Sequence, residues 1–207
     1  MHPFSLARRF FGRAFGSFKR ADAGATAVEF GLVALPFLAL AGASLEAGVT
    51  YLSQEILQDA VTEASRQIYT GQFQTNNAAS ANSATLLGNF RAAICNPNGQ
   101  RRMTPFTCDN IRVSITKAAS FGQATPTTPT VTNPTTGVSD WNPNFSSYTC
   151  ARASDVIVVQ AVIDLPVYFT MLNAAAASLP NDRRILQASA VFQVEPYNST
   201  AACPSGS

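Results

Sequence analysis

Hydrophobic and polar positions change their spacing once in the first third of the chain. From Ala23 to Glu46 the run AGATAVEFGLVALPFLALAGASLE is apolar or small almost throughout, and no charge falls between Phe30 and Leu45. As a helix, that uncharged stretch covers roughly 24 Å, slightly short of a bilayer crossing. Extension back to Ala25 and forward to Leu52 adds mostly small or apolar residues, which predicts a tilted span over 25–52 with Glu29 and Glu46 near its two faces. After Glu46 the pattern becomes amphipathic. Val49, Leu52, Ile56, Ala60, Ala64 and Ile68 recur at helical spacing, while Gln54, Glu55, Gln58, Asp59, Glu63 and Arg66 occupy the other faces. The simplest reading is one continuous helix from about Ala25 to Tyr69, with residues 53–72 as its amphipathic extension, laid on a globular domain. Glu55 with Asp59, and Asp59 with Glu63, are like-charge pairs one turn apart, so packing must hold this half. Thr70-Gly71-Gln72 ends it, with Gly71 as a left-handed cap.

Residues 74–84 read as a polar connector, and Ala84 to Cys95 as a short helix. Alternation over Ile111 to Lys117 predicts a strand with one buried face. The stretch at about 119–154 is rich in Thr, Pro, Asn and Ser and reads as a long exposed loop, in which Trp141, Phe145 and Tyr148 either form an adhesive patch or, more in keeping with loop aromatics, pin the loop to its own sheet. Asp155 to Leu165 is the strongest strand pattern, expected to continue past Pro166 to Phe169. An alanine-rich helix over Met171 to Leu179 and a last strand over Leu186 to Glu195 complete the domain at 73–207. The predicted class is α+β, a long N-terminal membrane helix continuing into an amphipathic helix packed on a small antiparallel sheet.

Charge fixes a direction. Arg8, Arg9, Arg13, Lys19 and Arg20 against Asp22 give residues 1–24 a net charge of +4, which leaves −2 for the remainder of a chain whose total is +2. Basic residues directly ahead of an apolar span are a positive-inside signal rather than a nucleic-acid footprint, so the N-terminus is expected in the cytoplasm and no nucleic-acid partner is expected. Phenylalanines interleaved with these cations predict an amphipathic helix on an anionic inner leaflet. All four cysteines, Cys95, Cys108, Cys150 and Cys203, lie after the span, which predicts two disulfides in an oxidising compartment among three possible pairings, of which Cys95–Cys108 with Cys150–Cys203 is the one with a local loop. No CxxC spacing occurs. The only histidine is His2, so neither a histidine triad nor a histidine metal site is built from the rest of the chain, and neither an enzyme nor a cofactor is expected.

Glu29 is the residue that needs explaining, because a carboxylate in a lipid-facing helix costs about 2.5–3.5 kcal/mol unless something pairs with it. A cut between Gly24 and Ala25 would supply a partner, since the new amine of a neighbouring subunit is a cation small enough to sit beside Glu29 in a helical bundle. Lys19, Arg20, then Gly24, Ala25, Thr26, Ala27, Val28, Glu29 and Phe30 ahead of a long apolar helix resemble the class III signal peptide of the tight-adherence (Tad/Flp) type. Phenylalanine where the major pilins of that type carry tyrosine, the length of the chain, and further residues Gln54, Ala60, Arg66, Thr70-Gly71-Gln72 and Val194-Glu195-Pro196-Tyr197 make it similar to the TadE-like minor pseudopilins.

That resemblance implies a pilin-like design, with a leader at 1–24 cut after Gly24 and subunit pairing through Glu29 and Phe30. It also implies partners: the prepilin peptidase, the major Flp pilin, other pseudopilins and an assembly platform in the inner membrane. The expected location is the bacterial inner membrane, single-pass, with the C-terminal domain periplasmic or carried into the extracellular pilus. The rival expectation is an uncut single-pass anchor whose outer domain binds a ligand or has a structural role.

Overall fold

The computed structural model describes residues 22–79, 82–169 and 178–196. The chain divides into two units with the boundary between Leu45 and Glu46. The expected amphipathic helix ahead of Asp22, the alanine-rich segment at 170–177 and the tail from Tyr197 lie outside the described residues.

Helix α1 spans Asp22–Tyr69 and runs through Pro36 without interruption. Hydroxyls along it are satisfied by the helix itself: Ser44 Oγ donates to Leu40 O at 2.9 Å, Thr50 Oγ1 to Glu46 O at 2.8 Å and Ser53 Oγ to Val49 O at 2.7 Å. Its end is the predicted one. Gly71 has φ of 75°, a conformation that costs glycine nothing, and its N–H donates to Ile68 O at 3.1 Å.

The buried stripe of the second half differs from the one the periodicity suggested. Leu57, Ala60, Val61, Ala64 and Ile68 are buried, with Ser53 and Ser65, whereas Val49 and Leu52 are 51% and 53% exposed and Ile56 is only partly covered. The helix carries more apolar positions than the domain covers, so apolar identity alone does not say which side faces inward.

The polar connector is more ordered than expected. A single-turn helix, α2, spans Gln72–Asn76 and buries Phe73, whose ring meets that of Phe90 edge-on at 5.7 Å. Phe90 belongs to α3, Ser83–Cys95, capped by Asn82, whose Oδ1 accepts from Ala84 N at 2.8 Å.

Three long strands follow: β1 at Arg112–Ala118, β4 at Val156–Pro166 and β5 at Arg183–Gln193, forming an antiparallel sheet in the order β1-β4-β5. β4 is central and buried on both faces from Val156 to Ile163, which is why it reads as a nearly continuous apolar run. Register places Ile115, Val159 and Ala190 on one face, joined to the core of α1 and α3 through Ile157, Val159, Ala161 and Ile163. The opposite face carries Ser114, Gln160 and Ser189. The expected continuation of β4 to Phe169 does not occur. Pairing stops at Pro166, whose partner is Arg183, and the chain turns away. Asn181 and Asp182, at φ of 60° and 53°, lead into β5, and both residue types tolerate that region.

The long loop is not structureless. It holds a small two-stranded sheet of β2, Thr130–Thr132, and β3, Ser139–Trp141. Gln160, fully buried on β4, pins the segment ahead of it: Thr127 N donates to Gln160 Oε1 at 2.7 Å and Gln160 Nε2 to Thr127 O at 3.0 Å. Of the three aromatics, Phe145 and Tyr148 are buried and Trp141 is partly covered, with the Arg112 guanidinium 4.3 Å from its ring centroid. They pin the loop rather than present it. Ile115 also exchanges backbone bonds with Ser147 and Thr149, each 2.8 Å, so part of the outer edge of β1 is covered.

Candidate assembly interface

The first unit displays an apolar helix surface that the described residues do not cover. Phe30, Leu35 and Leu45 are each 73% exposed, and α1 is long and apolar enough to cross a membrane. Glu29 lies on this surface and is exposed, with Phe30 next to it about 100° round the helix. Gly24 lies in α1, and a Cβ added there meets no atom of the described residues within 4 Å. Packing among the described residues therefore places no demand for glycine at this position.

In the second unit, four attachments hold α1 to the domain. Glu46 is the most elaborate: its Oε1 accepts from Arg184 Nη2 at 2.7 Å, and its Oε2 accepts the backbone N–H groups of Tyr168 at 3.2 Å and Phe169 at 2.9 Å. Arg184 Nη1 also donates to Thr50 Oγ1 at 3.2 Å, and the two charged side chains are only 11% and 14% exposed. One turn further on are two glutamines spaced four apart on the helix. Gln54 Nε2 donates to Gln187 O at 2.8 Å and Gln58 Nε2 to Ser189 O at 3.1 Å, while Ser189 N donates to Gln58 Oε1 at 3.4 Å. Four helical residues rise about 6 Å and two strand residues about 6.6 Å, so this spacing matches successive outward-facing backbone groups of the edge strand β5. Near the helix end, Glu63 pairs with Arg102, which also donates from Nε to Ile94 O at 3.3 Å. At the end itself, Glu195 N donates to Tyr69 O at 3.0 Å. The Glu195 carboxylate, by hydrogen bonding and by its charge, holds the Tyr69 phenol above the ordinary tyrosine value, with desolvation adding in the same direction.

Cys95 and Cys108 form the expected local disulfide, with Cα atoms 6.1 Å apart. Cys150 is also disulfide-bonded, and its expected partner Cys203 lies outside the described residues. Among the described residues no group of three or more metal-ligating side chains comes together. Trp141, Arg91, Asp109 and Arg112 line an open cleft of about 560 Å³ between α3 and β1.

Sequence reasoning singled out Gly24, Ala25, Glu29 and Phe30, and they lie together in the first turns of α1. It missed Arg184 as the partner of Glu46. The one available signal was an arginine pair, Arg183-Arg184, just ahead of the strand predicted from Leu186 in a chain with few charges.

A long apolar helix and a small antiparallel sheet define an α+β protein with a candidate single-pass anchor. Residues 24–66 match the family described as TadE-like protein, a match that supports a TadE-like protein of the Tad pilus system. The match covers α1 from Gly24 to Arg66; the sheet and its loop lie beyond it. No curated protein and no solved structure is similar enough to the chain to count as a match.

Proposed function

We propose that this chain is a minor pseudopilin, made as a precursor with its basic residues in the cytoplasm, cut between Gly24 and Ala25 by a prepilin peptidase, and assembled through α1 with other Tad pilus subunits. The observation that carries this reading is the family match opening at Gly24, the residue of the proposed cut, on a helix with an uncovered apolar surface. With nothing among the described residues requiring glycine there, this reading assigns the requirement to an external cleft, where a residue without a side chain lets catalytic groups reach the carbonyl. The bond lies within α1, so the peptidase must open the helix there before cutting. The new amine on Ala25 would stand one turn from Glu29, about 6 Å along the axis, at the depth where a neighbouring carboxylate needs a cation.

The major Flp pilin, other pseudopilins and the platform proteins are the partners this reading requires. Disulfide bonding at Cys95, Cys108 and Cys150 supports a periplasmic head. The reading gives the head no catalytic role. A second reading, an uncut anchor, draws support from α1 running through the proposed cut without a break. Mass spectrometry of the protein from its native host separates the two: a mature N-terminus at Ala25 is expected, and an intact Met1 rejects processing.

A further inference from the structure

The exposed apolar surface does not stop at Glu46, where the second unit begins. Val49, Tyr51 and Leu52 are 51%, 69% and 53% exposed, and the buried stripe starts only at Ser53. Tyr168, 77% exposed, joins them from the end of the sheet, because its N–H donates to Glu46 Oε2 at 3.2 Å, which fixes it at the level of Glu46 along α1. Tyr51 stands about 140° round the helix from Glu46 and about 7.5 Å further along its axis. Two uncovered tyrosines thus flank different sides of the same short stretch of helix, with Val49 and Leu52 between them. Apart from Arg184 Nε, which is buried without a hydrogen-bond partner, the polar groups that meet Glu46 here are satisfied internally. Glu46 is neutralised by Arg184 and bonded by two backbone N–H groups, Thr50 Oγ1 donates to Glu46 O, and Ser53 Oγ donates to Val49 O. A tyrosine ring is favourably placed where lipid meets water, its body among apolar chains and its hydroxyl wet, and a paired carboxylate tolerates that layer where a lone one does not.

We propose that Val49, Tyr51, Leu52 and Tyr168 form a collar that seats this end of the head in the headgroup layer of the membrane, with Glu46–Arg184 carried at that depth as an internally neutralised pair. The proposal rests on α1 being a membrane span. It places the lipid boundary beyond Leu52 and ties the tip of the sheet, not the helix alone, to the bilayer surface.

Trp141 is the only tryptophan, so a single reporter can be moved. The full chain is reconstituted in phosphatidylcholine–phosphatidylglycerol vesicles whose acyl chains carry bromine either near the headgroup or near the bilayer centre. Three proteins are compared: wild type, Trp141→Phe/Tyr168→Trp, and Trp141→Phe/Phe37→Trp. About half the emission from position 168 should be lost to shallow bromine and little to deep bromine, as for a side chain at the interface. Position 37 should be quenched from the bilayer centre, and Trp141 by neither. Quenching at 37 with none at 168 overturns the collar and leaves the span intact, whereas no quenching at 37 removes the span and the collar with it. Tyr51→Trp in the Trp141→Phe background must repeat the result for 168. If 51 and 168 are dark to lipid bromine but crosslink to a second copy, the surface belongs to a subunit contact and the proposal fails.

Discussion

Arg184 Nη2 lies 2.7 Å from Glu46 Oε1, joining the first residue of the second unit to the start of its last strand across 138 positions of chain. Both side chains are nearly covered, so their attraction acts with little water to screen it, and the loss of one partner leaves the other charged and poorly solvated. Glu46→Ala in the full chain should lower stability by about 3 kcal/mol, and Glu46→Ala with Arg184→Met should recover much of that loss. Chemical unfolding in nanodiscs, followed by Trp141 emission, measures both. A double variant no more stable than Glu46→Ala alone would show that the pair is not coupled.

Gln160 and Thr127 exchange two hydrogen bonds on the covered face of β4. Gln160→Leu keeps the volume and leaves both Thr127 backbone groups without their partner, at about 1–3 kcal/mol. Hydrogen exchange should then quicken at Thr127 and its neighbours, with little change at Ile157 or Val159 in the core. Uniform acceleration through the sheet would contradict a local role.

The Cys95–Cys108 bond closes a separation of 13 residues between the end of α3 and the chain leading to β1. Restricting the unfolded chain over so short a loop contributes about 3 kcal/mol. Cys95→Ala/Cys108→Ala should therefore fold with a lower unfolding midpoint. A midpoint equal to wild type would remove any stabilising role for the bond.

Tyr69 has its phenol held above the ordinary value of 10.0 by Glu195. The neutral phenol is the form the fold favours, so its contribution is complete below the unfolded value and is lost as pH rises through the folded one. In an alkaline spectrophotometric titration one tyrosine should ionise later than an exposed phenol, and Tyr69→Phe should remove that late step. A late step that survives Tyr69→Phe would assign it elsewhere.

Glu29 is exposed on the apolar part of α1 and, under the pseudopilin reading, meets a processed amine after assembly. Glu29→Ala should insert and be processed normally yet leave the host without surface pili, since the lost partner acts after the cut. Immunoblotting of processed protein and electron microscopy of cells test this together, and normal piliation would count against pairing.

Much of the fold was legible because it depends on near neighbours. An uninterrupted apolar run dictates a helix long enough for a membrane, since backbone groups in lipid have no other way to be satisfied. The shift to helical amphipathicity after Glu46, the left-handed turn at Gly71 and the strand pattern of β4 are likewise set within a few residues, as was the family resemblance carried by Gly24 to Phe30. Tertiary structure decided what lies on what. Two of the apolar positions assigned inward, Val49 and Leu52, remain exposed because at that level the domain reaches α1 through Glu46 and Thr50 instead, and β4 stops at Pro166 because its partner strand begins at Arg183. Glutamines 54 and 58 became the cover of an edge strand, Gln160 the anchor of a loop, and Arg184 the counterion of Glu46, each with a partner more than 30 residues away. A side chain's periodicity is written beside it in the sequence, but its partner is chosen only when the chain closes and leaves one group within reach.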